Sequence, residues 1–225
     1  MNRTLVAAAM LATMLPAAGA AQRREPLPQL AQELFLAETV YPQERGEVQL
    51  TLDARFDHGA RTRLLGEYGI TDRLQLSLVT PGLGGEANEE ADAWEAGVLY
   101  AVLPDARPFS LSATVEASFE REQAPSWEPA LIVARGWGAL QLHATAAAEV
   151  ERGDASPWGA LAALLGAGRF TSTLELVRSA EPETFVVPGM FVHPGHQAEV
   201  AVGVPVCLTC DRRTEGVRAM FTVEF

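Results

Sequence analysis

Charged side chains recur at every second position in several stretches of this 225-residue chain. In residues 46–56, GEVQLTLDARF, the polar side of the pattern carries Glu47, Asp53 and Arg55, and the other side is apolar. A period of two is typical of a β-strand with one apolar and one polar face. Acidic and basic groups on such a face can pair with each other, or they can line a polar pathway for ions and small solutes.

Carboxylates outnumber guanidinium groups on the polar faces of the predicted strands. Charge inside a narrow barrel must be paired or hydrated, because an isolated buried ion is costly. Two compatible interpretations follow: an ion-pair network that fills the barrel, and a constricted pathway whose acid excess disfavours anions. If the polar faces turn inward, we expect the lumen to be lined by Glu47, Asp53, Arg55, Arg63, Glu67, Arg73, Glu95, Glu116, Arg135, His143, Glu149, Glu175, Glu199, Arg218 and Glu224.

Cys207 and Cys210 form a Cys-x-x-Cys sequence near the C-terminus. In an exported protein, the oxidising environment favours a local disulfide between them. Haem attachment would require a His after the second Cys, where Asp211 stands, and a zinc site would need further ligands. The sequence therefore predicts a disulfide at this position, and it predicts no metal and no cofactor.

Histidines are the other residues that could do chemistry. His193 and His196 flank Pro194 and Gly195, and the turn preference of Pro and Gly explains that stretch without a metal. His143 lies on a polar strand face, but nucleophilic catalysis needs a nucleophile within hydrogen-bond reach of such a base. No Gly-x-Ser-x-Gly sequence occurs, and no Ser is placed to meet His143. We therefore predict no catalytic residues, and an outer-membrane lipid-modifying enzyme is the alternative.

The N-terminus has the features of a secretory signal peptide. Met1, Asn2 and Arg3 give a positive start, residues 5–15 are apolar, and residues 16–22 are small residues suited to cleavage. We predict a signal peptide over 1–21, a periplasmic N-terminal segment over 22–45, and an outer-membrane barrel over 46–225. For the middle segment, a specific hypothesis is that it enters the lumen as a plug.

Composition limits the classes of partner and of membrane segment. The formal net charge is −12, which argues against nucleic acid because phosphate binding needs basic patches. No stretch after the N-terminus has 18 consecutive apolar residues, so no transmembrane helix is predicted. In a membrane β-barrel, apolar residues alternate with polar ones along each strand, so the mean hydropathy of a strand is only weakly raised.

Strand-like stretches separated by alternately short and long connections organise the rest of the chain. Outer-membrane barrels have short periplasmic turns and longer outer loops. The predicted strands lie at 46–56, 62–69, 73–78, 94–102, 109–120, 127–135, 140–151, 158–166, 170–178, 185–193, 197–206 and 217–225. Tight turns are predicted at 69–73, 103–108, 135–139, 166–169 and 193–196, and longer loops at 80–93, 120–126, 151–157, 178–184 and 207–216.

An all-β fold follows, an antiparallel up-and-down transmembrane β-barrel of about 12 strands with both ends in the periplasm. A soluble barrel or sandwich also uses short strands, but its interior would be apolar, whereas here one face carries bulky charges. The final stretch, 217–225, is predicted to be the closing strand, with Phe225 as the signal for barrel assembly. Aromatic girdles at the two membrane interfaces are expected from Trp94, Tyr100, Phe109, Phe119, Trp127, Trp137, Trp158, Phe170, Phe185, Phe191 and Phe225.

The stretches ERGEVQLTLDARF, GEYGITDRLQLSLVTPG, PGMFVHPGHQAEVAVGVPV and GVRAMFTVEF resemble the outer-membrane transporter family named for the meta pathway of phenol degradation. The resemblance covers roughly residues 44–225. It implies an outer-membrane β-barrel that passes small solutes, often hydrophobic or aromatic. The Cys207 and Cys210 pair is not part of the family's pattern.

The expected function is therefore an outer-membrane transporter or narrow channel for small solutes. The alternatives are a lipid-modifying enzyme and a sealed structural or adhesive barrel. The expected partners are outer-membrane lipid, the barrel-assembly machinery and a small-molecule solute, with no nucleic acid.

Overall fold

Residues that alternate between apolar and polar side chains form strands along most of the chain. A computed structural model describes residues 29–56, 60–82, 93–104, 109–120, 123–181, 183–195, 197–210 and 216–225. Within these ranges, thirteen strand segments form a closed antiparallel barrel of twelve strands. No helix in the described part of the chain is long and apolar enough to cross a bilayer.

Each strand pairs with the next one along the chain, as in an up-and-down barrel. Segments β11 and β12 both pair with β10 and form one barrel strand, interrupted at Val204 and Pro205. Pro205 has no N–H to donate to a neighbouring strand. The segments are β1 Val48–Phe56, β2 Ala60–Thr71, β3 Leu74–Val79, β4 Trp94–Leu103, β5 Ser110–Phe119, β6 Ser126–Trp137, β7 Leu140–Glu151, β8 Asp154–Ala167, β9 Phe170–Arg178, β10 Thr184–Val192, β11 Ala198–Gly203, β12 Val206–Cys207 and β13 Val217–Glu224.

The last strand closes the barrel, as predicted. β13 pairs with β1 on one side and with β11 on the other. The amide of Phe225 donates to the Val48 carbonyl at 2.9 Å, and the Val48 amide donates back at 3.2 Å. These bonds hold the end of the chain against the first strand. An edge strand with unpaired backbone groups is thereby avoided.

The two ends of the barrel differ in the connections they carry. The turn end holds the start of β1, the end of β13 and turns such as the one at 138–139, and the loop end is opposite. The longer loop predicted at 151–157 is absent, because β8 begins at Asp154 instead of residue 158 and Glu151 at the end of β7 pairs with Asp154. The connection is a two-residue turn in which Arg152 and Gly153 have φ angles of 51° and 96°. Positive φ at both central positions is what a type I′ hairpin turn requires, and such turns need no further residues.

The outward face of the barrel is apolar and carries two rings of aromatic side chains. Leu131, Leu161 and Leu174 lie between these rings and are more than half exposed. The ring near the loop end contains Phe56, Trp94, Phe119 and Trp127, and the ring near the turn end contains Tyr68, Tyr100, Trp137 and Phe170. Three aromatics predicted for the girdles point inward instead: Phe185 and Phe191 are buried, and Trp158 packs against the same internal cluster.

Candidate functional site

Part of the N-terminal segment lies inside the lumen. Residues 29–45, which we call the plug, enter from the turn end, reach the middle of the barrel and return. Leu30 lies against Gly166 near the turn end of β8, and Phe35 lies against Gly189 in the middle of β10. On the way back, the Arg45 amide donates to Asp72 in the turn between β2 and β3. The hypothesis of a plug thus holds for residues 29–45, and the predicted signal peptide lies outside the described residues.

Two strand carboxylates hold the ascending arm of the plug. Glu175 on β9 accepts hydrogen bonds from the backbone amides of Phe35 and Leu36 at 2.8 Å and of Ala37 at 2.9 Å. Glu199 on β11 accepts from the Gln32 amide at 3.2 Å. A segment without regular secondary structure leaves its buried N–H groups without partners unless side chains supply acceptors. The two buried glutamates supply them.

Apolar packing supplements these hydrogen bonds around Phe35. This ring is 1% exposed, and its centroid lies 5.2 Å from that of Phe191. The facing positions on β10 and β11 are Gly189 and Gly203. A Cβ added at Gly203 would lie 2.9 Å from the Phe35 ring, which is closer than carbon atoms pack, and one at Gly189 would overlap the ring further. The two glycines therefore form the recess that Phe35 occupies.

Neutral amides hold the descending arm. The Gln43 amide N–H donates to Gln75 Oε1 at 2.7 Å, and Gln43 Nε2 donates to Gln49 Oε1 at 2.6 Å. Gln49 Nε2 donates in turn to Glu67 at 2.6 Å and to Glu33 of the plug at 2.9 Å. These glutamines carry no charge, so the charge pattern of the sequence does not single them out. The available signal was the position of Gln49 and Gln75 on the polar faces of β1 and β3.

His143 packs against the descending arm of the plug. It is 3% exposed, its Nε2 lies 3.4 Å from Gln141 Oε1, and its ring meets the edge of the Tyr41 ring at 5.9 Å between centroids. The Tyr41 hydroxyl donates to the same Gln141 oxygen at 3.3 Å. Through these contacts, His143 helps to hold the descending arm of the plug against the barrel wall.

Two cavities lie between the apex of the plug and the loop end. The inner cavity, about 260 Å³, is lined by residues 33–39 of the plug together with strand residues such as Glu67 and Glu116. The outer cavity, about 300 Å³, lies nearer the loop end and is lined by residues such as Arg61 and Glu149. Both cavities share the lining residues Asp53, Arg55, Arg63 and Glu95.

Ion pairs connect the charged side chains around these cavities. Arg218 on β13 binds both carboxylate oxygens of Asp53 on β1, at 2.7 and 2.9 Å. Arg55 lies 3.7 Å from the same carboxylate, and Arg63 pairs with Glu95. Across the described residues, nine carboxyl groups and four guanidinium groups line the two cavities. After this pairing, carboxyl groups therefore still outnumber guanidinium groups around the cavities.

Burial changes the titration of the plug's own acids. Removal from water, with Glu33 and Glu128 nearby, raises the pKa of Glu38 to about 8. Burial next to Glu67 raises the pKa of Glu33 well above its ordinary value of 4.5. Glu38 is consequently protonated at neutral pH, which lowers the charge at the apex of the plug.

Most of the predicted lumen residues face the interior. Glu47 and Glu224 lie at the turn end and Glu149 lies near the loop end, within the outer cavity. Inward-facing positions further along the barrel are occupied by Asp53, Arg55, Arg63, Glu67, Glu95, Glu116, His143, Glu175, Glu199 and Arg218.

Two predicted lumen residues do not lie in the lumen. Arg135 is on the outward face of β6, because Ile132 and Ala134 of the same strand face inward and are fully buried. Its guanidinium lies 4.7 Å from the centre of the Trp137 ring, a cation–π contact at the turn end. Arg73 is exposed in the turn between β2 and β3, where it follows Thr71 and Asp72 outside the barrel wall.

The disulfide predicted between Cys207 and Cys210 is present and closes the start of the loop after β12. Cys207 is 1% exposed and belongs to the apolar cluster around the plug. No group of three or more His, Cys, Asp or Glu side chains suited to a metal ion occurs within the described ranges.

Comparison with known proteins identifies the fold. No family model matches the sequence, and no curated protein matches it. Three solved structures are similar: a KdgM porin in complex with disordered oligogalacturonate, with a TM-score of 0.60 and 12% identity; a NanC porin, with 0.54 and 12%; and an outer membrane channel from Pseudomonas putida F1, with 0.54 and 11%. The alignments cover 79%, 79% and 83% of this chain and 98%, 97% and 98% of the other chains. The chain therefore has the fold of outer-membrane porin barrels.

Proposed function

We propose that this protein is an outer-membrane channel for small solutes and that the plug closes it at rest. The observation that carries the proposal is a barrel with an apolar outside and a charged inside, blocked by a segment that forms no strand of the wall. Hydrogen bonds and one aromatic recess hold this segment, so its release would break no strand pairing.

Location in the outer membrane is supported by the outward surface. Large apolar side chains cover it, and two aromatic rings border it, as expected at the two interfaces of a bilayer. The similar structures are outer-membrane porins and channels. We further propose export through a cleaved signal peptide and insertion by assembly machinery that recognises Phe225. Normal outer-membrane levels of a variant without Phe225 would contradict that recognition.

The proposed cargo is a small solute that is cationic or has a cationic part. The acid excess around the two cavities attracts cations and repels anions. The resemblance to the phenol meta-pathway transporters adds hydrophobic and aromatic solutes as candidates.

Planar-bilayer recording from the intact chain and from a variant lacking residues 22–45 tests the proposal. We expect low or intermittent conductance from the intact chain, and stable, cation-preferring conductance from the deletion variant. Equal, substantial conductance in both would contradict a closing role for the plug. Absence of conductance in both, with folding shown by heat-modifiable migration on a gel, would contradict the channel.

A sealed structural barrel is the second candidate. The number and burial of the plug's hydrogen bonds favour it, because they bind both arms to the wall. Absence of conductance from the deletion variant in the same recordings would support this candidate.

A further inference from the structure

The guanidinium groups around the two cavities are confined to three neighbouring strands, of which β1 also carries Asp53 and β2 also carries Glu67. The guanidinium groups come from β13, β1 and β2, as Arg218, Arg55, Arg61 and Arg63, which we call the basic wall. Strands β5, β6 and β7 contribute carboxylates and no arginine to the described lining of the cavities. These carboxylates are Glu116, Glu128 and Glu149, which we call the acidic wall. In the strand order of the barrel, β1 and β6 are five steps apart out of twelve. The two walls therefore face each other across the lumen.

The basic wall keeps capacity to bind a further anion. Arg218 occupies both oxygens of Asp53, which leaves Arg55 with a contact of 3.7 Å to that carboxylate. The Arg55 side chain is 41% exposed, and a guanidinium has five N–H donors in a planar fork that suits a carboxylate.

The acidic wall keeps capacity for a cation. Within the described ranges, no arginine or histidine lies at ion-pair distance from Glu116, Glu128 or Glu149, whereas Glu95 is paired with Arg63. Arg55 on one side and the three carboxylates of the acidic wall on the other thus have room for partners of opposite sign. The cavities between them are each many times larger than one water molecule, which takes up about 30 Å³ in the liquid.

We infer that the space between the walls binds small zwitterionic solutes, which carry a carboxylate and an ammonium group on one short chain. A lone anion is attracted by one wall and repelled by the other, and the same holds for a lone cation. A zwitterion oriented with its carboxylate toward Arg55 and its ammonium toward Glu128 is attracted by both walls. The inference rests on the proposed channel and names the class of solute that its entrance selects.

Calorimetric titration of the full chain, folded in detergent micelles at neutral pH and low salt, tests this inference. The probes are γ-aminobutyrate, butyrate and butylamine, which share a four-carbon chain and differ in charge. We expect γ-aminobutyrate to bind at least about tenfold more tightly than either analogue. Arg55→Gln and Glu128→Gln should each weaken that binding roughly tenfold, since each removes one charged partner.

Arg152→Gln is the matched control, because Arg152 is exposed in the turn between β7 and β8, outside both cavities. Heat-modifiable migration confirms that each variant is folded. Equal binding of butylamine and γ-aminobutyrate would overturn the inference in favour of the acidic wall alone. Equal binding of butyrate, or no binding of any probe, would overturn it as well. The calorimetric titration does not require the barrel to conduct ions. If the full chain binds γ-aminobutyrate but the variant without the plug shows no conductance, the proposed channel is refuted and the proposed binding site is not.

Discussion

Glu175 anchors the plug, because its side chain accepts three backbone hydrogen bonds from it. Glu175→Gln keeps the shape of the side chain but replaces one of its two acceptor oxygens with an NH2 donor, so at least one of the three N–H groups loses its acceptor. Hydrogen bonds to a charged group contribute about 1.5–3 kcal/mol each, so the loss should be at least of that order. We predict a higher open fraction in single-channel records. Glu151→Gln, at an exposed position near the loop end, is the control, and equal open fractions in the two variants would contradict the anchoring role.

Gly203 provides a second test at the residue scale, because a methyl group there would meet the Phe35 ring. Gly203→Ala should displace the plug and make residues 29–45 more sensitive to protease. Adding Phe35→Ala should relieve the overlap, so the double variant should resemble Phe35→Ala alone. Gly195→Ala is the control, since a Cβ at Gly195 meets nothing within 4 Å. An unchanged protease pattern in Gly203→Ala would contradict the recess.

Charged residues of the lumen could be predicted individually because alternation assigns each one to a face. Asp53 and Arg218 were predicted for the lumen separately, and the register of β1 and β13 makes them a bidentate pair. Arg135 was placed on the wrong face because the run from Ala130 to Trp137 is apolar at almost every position, so its period is ambiguous. Long-range partners, such as Gln43 with Gln75, depend on how the plug folds and leave no local pattern in the sequence.

At the scale of elements, the turn between β7 and β8 has the sequence Arg152-Gly153 with both φ angles positive. Asn tolerates positive φ better than Arg, and Asn-Gly is a preferred pair for type I′ turns. Arg152→Asn should therefore stabilise the folded barrel slightly. Gly153→Ala should destabilise it by about 1 kcal/mol, since a side chain is strained at φ of 96°. Urea titrations read by the folded gel band measure both, and equal midpoints in the two variants would contradict the turn assignment.

Strands were predictable as elements because period-two alternation is local, and most of their bounds agree within two residues with the structure. The exception at 151–157 arises because its Pro, Asp and Gly residues are typical of loops, while the long β7–β8 pairing overrides that preference. For the plug, the sequence indicated a segment ahead of the barrel and allowed only the hypothesis that it enters the lumen. Its irregular path depends on acceptors from β9 and β11, more than 130 residues away along the chain.

At the scale of the whole molecule, the barrel wall and the plug respond to different forces. Hydrogen bonds between neighbouring strands close the wall without an edge, so it does not depend on the plug for its backbone pairing. The plug is held by buried polar contacts whose strength depends on the charge state of each partner. Conditions that change these charges should therefore move the plug and leave the wall intact.

Raising the pH should open the channel for this reason. The pKa of Glu38 is about 8 when the plug is docked and near 4.5 when it is in water, so the docked state holds a proton that the released state gives up. Docking is therefore favoured at the lower pH and weakens as the pH rises through that interval. Once ionised, Glu38 faces Glu33, Glu95 and Glu128, with Arg218 offsetting part of the repulsion.

We expect the conductance of the intact chain to increase between about pH 5 and pH 9, and Glu38→Gln to flatten the increase because its side chain stays neutral. Wild type and variant are compared at each pH, so that the effect of Glu38 is separated from that of the other acidic groups around the plug. Deletion of residues 22–45 serves as the reference, because a barrel without a plug should lack this dependence. A conductance that fell with pH, or that rose equally in Glu38→Gln, would show that the proton on Glu38 does not control the plug.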